Sequence, residues 1–547
     1  MASHQPQENQ RLLTRLPEEL LAAIISHLTN REKKSLRAVN STFKRLAPLR
    51  FDRVFLSANS RNIDVFRAVA DHDRLRHGIT EIVWDDGRLK NCRYSPGDGI
   101  LAALDVRTTD AIVAGYDCPY WYKNARLFSL AYAMGLEINR ESPPVLPDGI
   151  ISLLDSWEYY KTLIQDQQAV LNSNADVKAL KHGLRRFPSL KRITLVPSAH
   201  GPFVGRPLYQ TPMLRGFPPN FGYLLPRNWP GMESPESLAA VYSWHGNDHM
   251  SVYGRDCSNE VYRNKWRGFR VLLRTLAQNP HHITEFVMDM HHHRTGINCN
   301  IFSRPSLEAH DLVKLLSTPG FRRLDLALLT GAMERDKWPC LYTGILRRAL
   351  TRAQQLEHIS LSCTMDIYPN GRAARLSLDH QEGAVPLRTI FPLILWPKLQ
   401  HFAINRLSVR KADLVSFLAA LPASLRTVTL SHLAFIEEAS SWQNLLCDMR
   451  DMLDWKTRVV GERPRVRIIV NNPEVIREWK FICIDEATDE FLYSNSEVSA
   501  NPFGETDDSN DPIEGPGVME RSYIDRLFER PYRIEICECG LRAVHRH

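Results

Sequence analysis

The chain of 547 residues is 44% hydrophobic and 24% charged, the usage of a globular protein, and its length allows roughly two to four ordinary domains or one large repeat array. A net charge of +7 is spread without any long run of like charges, which excludes a polybasic tail and an acidic disordered chain. The opening "MASHQPQENQ" lacks an apolar core, and no stretch of about eighteen apolar residues follows, so the expectation is cytoplasmic or nuclear, with no membrane partner. Ten mostly isolated cysteines predict reduced thiols, and with them an unglycosylated Asn40 sequon.

Pro17 suits the first position of a helix, where its missing N–H costs nothing, and Glu18 and Glu19 follow where the helix dipole favours acids. Leu20, Leu21, Ile24, Ile25 and Leu28 then recur at helical spacing, and Thr29-Asn30 supplies a stop. A second predicted helix carries Leu36 and Val39. A third, capped at Asn40 or Ser41, carries Phe43 and Leu46 before Pro48 ends it. Three helices this short cannot bury so many apolar side chains, each worth about 1.5 to 3 kcal/mol once covered. A partner protein is expected to cover them.

The strings "LPEELLAAIISHL", "SLRAVNSTFKRLA" and "RVFLS" resemble an F-box, the motif that docks on a Skp-type adaptor. The match runs from Leu16 to about Leu56, in a module placed at residues 10–57. The resemblance implies adaptor contacts by Leu16, Pro17, Leu20, Leu21, Ile24, Ile25, Leu28, Leu36, Val39 and Phe43, and through the adaptor an association with cullin and RING subunits. Glu32–Lys34 departs from the family, many of whose members are apolar there. The competing reading is a helical subdomain packed on the rest of the chain.

From Asn59 the chain alternates amphipathic helix and strand. Ile63, Phe66 and Val69 share a helical face, and Ile79–Trp84 reads as a strand. "HGITEIVWDD" at His77 returns as "HHITEFVMDM" at His281, which implies duplication or one repeated geometry. The pattern apolar-x-x-apolar-x-apolar recurs in "LKRITL" (Leu190), "FRRLDL" (Phe321), "LEHISL" (Leu356), "LQHFAI" (Leu399) and "LRTVTL" (Leu425), most with an amphipathic helix just before. Later copies are spaced by roughly 26 to 43 residues, near the period of leucine-rich repeats, whose units must stack to bury their faces.

The layout resembles F-box proteins with degenerate leucine-rich repeats of the type common in filamentous fungi. It implies an α/β chain: a short all-α module, then an irregular solenoid of parallel strands and helices. An unrelated α/β domain with parallel strands is the alternative. Residues 58–140 would hold the first helix-strand units, 141–498 the main array, 499–517 an acidic mobile loop and 518–547 a terminal segment. "ESPPVLPDG" (141–149) would mark a boundary, and the Pro- and Gly-rich stretch 196–237 a partly ordered insertion.

Catalytic grammar is missing: there is no P-loop, GxGxxG, GxSxG or HExxH. His291-His292-His293 lacks a partner at ligand spacing, and Cys537, Cys539, His545 and His547 offer zinc-type atoms in a pattern that more often reports packing. No cofactor or metal is expected. Basic doublets at Arg185-Arg186, Lys191-Arg192, Arg322-Arg323 and Arg347-Arg348 interleave with acids rather than forming one stripe, which speaks against nucleic acid. Strand alternation instead sets Arg192, Thr194, Glu285, Val287, Arg323, Asp325, His358, Ser360, His401, Ala403, Thr427 and Thr429 on one face, as candidate contacts for a protein substrate. The reading is a non-catalytic substrate-recognition subunit of a ubiquitin ligase, with a scaffold that transfers no ubiquitin as the alternative and a nucleic-acid- or metal-binding protein as a distant third.

Overall fold

The computed structural model describes residues 16–28, 30–47, 49, 51–89, 118–133, 149–200, 208–219, 221–222, 229–230, 244, 259–290, 293–330, 338–365, 384–437, 440–471, 480–494, 500–503 and 519–522. In each copy of the apolar-x-x-apolar-x-apolar pattern the last two apolar residues fall on alternate positions of a strand, and so on one face of it. Eight strands arise this way: β1 (Arg53–Ser57), β2 (Glu81–Asp85), β3 (Arg192–Val196), β4 (Glu285–Met288), β5 (Arg323–Leu329), β6 (His358–Ser362), β7 (His401–Asn405) and β8 (Thr427–Ser431). A ninth, β9 (Arg465–Asn471), keeps the inward Val466 and Ile468 but has Arg463 where the leading apolar residue stands elsewhere.

All nine are parallel neighbours in chain order. The ladder continues one rung before each strand: Arg192 N–H donates to Thr80 O, Glu285 N–H to Lys191 O, and His401 N–H to Glu357 O. Two antiparallel strands, β10 (Lys480–Cys483) and β11 (Met519–Ser522), extend the far side. The chain is thus mixed α/β around a long, mostly parallel sheet.

Three short helices precede the sheet: α1 (Glu18–Ser26), α2 (Asn30–Arg37) and α3 (Ser41–Leu46). Between and beyond the strands come α4 (Ser60–Asp71), α5 (Tyr120–Ala133), α6 (Leu153–Ser173), α7 (Ala175–Arg186), α8 (Arg267–Gln278), α9 (Leu307–Leu316), α10 (Ile345–Leu350), α11 (Lys411–Ala419), α12 (Trp442–Met452) and α13 (Asp485–Tyr493). Phe66, Leu180, Leu272, Leu312, Leu346, Leu414 and Leu445 of these helices form one core with the inward strand residues Ile82, Ile193, Phe286, Leu324, Ile359, Phe402 and Val428. Helix α8 stitches its neighbours by charge as well. Arg267 lies 2.6 Å from the buried Asp176 of α7, and Arg270 and Arg274 lie 2.9 and 3.0 Å from Glu308 and Asp311 of α9.

Asp86, just past β2, anchors a crossing of three segments. Its carboxylate accepts from Trp229 Nε1 (2.8 Å) and from Gly268 N (2.9 Å), and pairs with Arg88 (2.6 Å). A Cβ at residue 268 would stand 2.4 Å from Asp86 Cγ, so the start of α8 requires glycine there. At the other end, β10 pairs with β9 only over Ile469–Asn471. Asp489 of α13 takes the Val466 N–H (3.4 Å), which protects the remaining edge.

The predicted strands all form, and one assignment changes. "RVFLS", taken as the end of the helical module, is β1 of the sheet: Phe51, Val54 and Leu56 follow the same repeat pattern as Leu190, Ile193 and Leu195. Residues 141–148, His291, His292, nearly all of 499–517, and Cys537, Cys539, His545 and His547 lie outside the described residues.

Candidate functional site

The helical module splits its apolar residues between an inside and an outside. Leu21, Ile25, Phe43 and Ala47 form a small buried core, with Leu16, Leu28, Leu36 and Leu46 half-buried around it. Asn40 caps α3 by accepting the Phe43 N–H at 2.8 Å, and Arg37 closes its other end by donating to the carbonyls of Lys44 and Ala47. Glu18 and Arg45 tie α1 to α3.

Leu20 and Ile24, four residues apart and so on one stripe, are 53% and 47% exposed, and Val39 is 53% exposed. Pro17 is exposed beside them. Leu21, Ile25 and Phe43, expected as adaptor contacts, are corrected to core residues. They lie one position round the helix from the exposed stripe, or on the facing helix, and three packed helices enclose them.

On the sheet, register sets the expected face residues abreast. Across the first row run Arg53, Glu81, Arg192, Glu285 and Arg323, then His358, His401, Thr427 and Arg465. The first five alternate in sign, and the first four fall into two pairs. Arg53 lies 2.7 Å from Glu81, and Arg192 and Arg322 each lie 2.6 Å from Glu285. Burial opposes ionisation of Glu285, but the hydrogen bonds and charges of Arg322 and Arg192 win and hold its carboxyl below the usual range. Glu81 and Glu285 come from the two "ITE" copies and make the same contact, so the repeated string reflects repeated geometry.

In the next part of the row Asp325 takes both neighbours. Arg323 Nη2 and His358 Nε2 each lie 2.6 Å from its oxygens. Burial again opposes the charge, and His358 and Arg323 nevertheless hold the Asp325 carboxyl low. The His358 and His401 rings stack at 4.1 Å with planes 10° apart. Desolvation first, then the neighbouring His358, pushes His401 down to about 3, so it is neutral at physiological pH.

The β1–β4 side of this face is covered. Ala199 N–H donates to Asp85 Oδ1 at 2.9 Å, Val83, Val196 and Ala199 are sealed against Phe55 and Tyr209, and Arg53 stacks over the Tyr209 ring at 5.3 Å. Thr194 and Glu285, expected to face a substrate, are 2% and 6% exposed. That expectation is corrected: the start of the predicted insertion lies over the sheet there, Thr194 donates its hydroxyl to Glu81, and two arginines cover Glu285.

From β5 to β8 the face is open. Arg323, Asp325, His358, Ser360, His401 and Thr427 are half-buried, as are Thr429, Ser362 and Asn405; Arg192, on the covered β3, is half-buried as well. Beyond the expected residues, β9 adds Arg465 to the first row and Arg467 to the second, and β8 adds Ser431 to the third. These were missed because β9 lacks the leading apolar residue, although the period-2 alternation of β6–β8 would have given Ser362, Asn405 and Ser431.

The basic doublets are largely spent on intramolecular contacts. Arg186 lies 3.4 Å from Asp71, and Arg347 donates to the carbonyls of Arg388 and Phe391. Among the described residues no group of three or more His, Cys, Asp or Glu side chains could hold a metal ion, and no helix is long and apolar enough to cross a membrane. Compared with models of known protein families and with curated proteins, the chain matches none of either.

Proposed function

We propose that the chain is the substrate-recognition subunit of a Skp-cullin-F-box type ubiquitin ligase, acting in the cytoplasm or nucleus. In this reading α1–α3 are an F-box that binds a Skp-type adaptor, and the sheet with its helices is a degenerate leucine-rich-repeat solenoid that binds a protein substrate. The observation that carries it is the uncovered stripe of Leu20 and Ile24 with Val39. The residue types and spacing of that stripe follow the family's docking helix, and the module's own small core leaves it outside. Strand order that follows chain order supports a stacked-repeat array.

Catalysis then needs no nucleophile in this chain. Holding a substrate beside a ubiquitin-loaded carrier raises its effective concentration, which for short tethers reaches the millimolar range. The test is recovery of adaptor together with cullin on the full-length protein, against the double variant Leu20→Asp/Ile24→Asp. The expected result is loss of both partners and a longer lifetime for proteins bound to the sheet. Adaptor recovery without cullin would favour the scaffold that transfers no ubiquitin, and a double variant that still drives turnover would refute the ligase reading.

A further inference from the structure

The outer face differs along its length in how much of its polarity is already used. Over β1–β5 the charged side chains are consumed in pairs: Arg53 with Glu81, Arg192 and Arg322 with Glu285, Arg323 and His358 with Asp325. Over β6–β8 the floor is built of small side chains, Ser360, Ala403 and Thr429 in one row and Ser362, Asn405 and Ser431 in the next. Any larger group there would fill the space above the strands. Ser360, Thr427 and Thr429 have hydroxyls with no hydrogen-bond partner among the described residues, and Asn405 Oδ1 is likewise unpartnered although its Nδ2 donates to Ser362 at 2.9 Å. The floor is bounded on both flanks by paired charges. On one side stands Asp325 between Arg323 and His358, and on the other Arg467, 3.1 Å from Asp485, with the exposed Arg465 3.8 Å from Asp489. His401, between them, is neutral.

We infer that recognition on this face is confined to the small-residue floor over β6–β8, and that its occupant is an uncharged polypeptide segment held by hydrogen bonds. The inference rests on the substrate-recognition reading for the occupant being a protein. The charge argument stands on the pairing itself. A charged segment would have to compete for arginines and aspartates that already hold each other, whereas unused hydroxyls and an amide oxygen offer donors and acceptors at no such cost. Strands about 4.8 Å apart set those groups at a spacing that the polar groups of a peptide laid across three strands can meet.

The probe is a random peptide library displayed on phage and selected on the full-length protein. Enriched peptides are then measured against wild type, Ala403→Trp and Thr429→Trp. The expected peptides carry no net charge and lose less than about twofold in affinity between about 0.05 M and about 0.5 M salt. Each tryptophan variant, placed on the outer face of the sheet and checked by an unchanged melting curve, weakens them by about tenfold or more. Charged or phosphate-dependent peptides that dissociate in salt, or peptides indifferent to both variants, overturn the inference, as does a selection that enriches nothing. Cullin recovery is read separately. Neutral peptides bound on β6–β8 without cullin would preserve this surface and refute the ligase reading, and the reverse pattern would do the opposite.

Discussion

The helical module and the sheet behind it treat apolar residues in opposite ways. In the parallel part of the sheet the inward strand residues share one core with the helices, and Ile82, Ile193, Phe286, Leu324, Phe402 and Val428 are completely shielded from water. In the module three short helices enclose four apolar side chains, and the stripe beside them stays in solvent. The difference is one of size: each central strand of the sheet has a strand on either side and helices packed on its inner face, while three short helices have too little surface to cover all their apolar residues. An uncovered Leu or Ile is therefore meaningful in the module in a way that a scattered one on the array is not.

Substitutions sharpen that contrast. Phe402→Ala should cost the most, about 3 to 5 kcal/mol, because the ring is fully buried between Phe391 and Phe417, with centroids 5.2 and 5.0 Å away. Chemical denaturation reads this, and a cost under about 1 kcal/mol would mean the array is not packed as described. Next, Gly268→Ala should cost about 1 to 3 kcal/mol, since its Cβ meets Asp86 and the Trp84 Nε1, and Asp86 is held by two hydrogen bonds and an ion pair. At the small end, Leu20→Ala should change stability by no more than about 0.5 kcal/mol. A larger loss would place that side chain inside the fold.

Acid separates the paired part of the outer face from the rest. Glu285 and Asp325 have folded pKa values below their unfolded ones, so their contribution is complete above the ordinary carboxylate range and is lost as pH falls through the folded values. His401, at about 3 in the fold against 6.5 ordinarily, adds a penalty that grows as pH falls from 6.5 towards 3, because only the unfolded chain takes the proton. Asp85 and Asp489, both raised to about 6 by burial, act in the opposite sense below that pH. Urea midpoints at pH 7 and pH 4 should therefore differ less in His401→Gln than in wild type. Equal differences would remove His401 from the account.

Most of the sheet was legible because its signal is local. Two apolar residues at alternate positions with a third ahead of them mark each strand from Leu190 to Leu425. The first strand showed the same pattern at Phe51, Val54 and Leu56, but the helical motif claimed those residues. The ninth was hidden by Arg463. The face was legible as a set of outward positions and not as a site, because its pairing joins strands far apart in sequence: Arg192 to Glu285, Arg53 to Glu81. Nor could spacing alone separate Leu20 from Leu21, since adjacent residues differ only in which of two stripes the neighbouring helices cover.

Calorimetric titration of the full-length protein with a purified Skp-type adaptor tests the central claim most directly. Wild type should bind with heat at a one-to-one ratio. Ile24→Asp, with an unchanged melting curve, should bind weaker by a factor of about 30 or more, the loss expected of one central apolar anchor. No binding by wild type, or equal binding by the variant, would contradict the account.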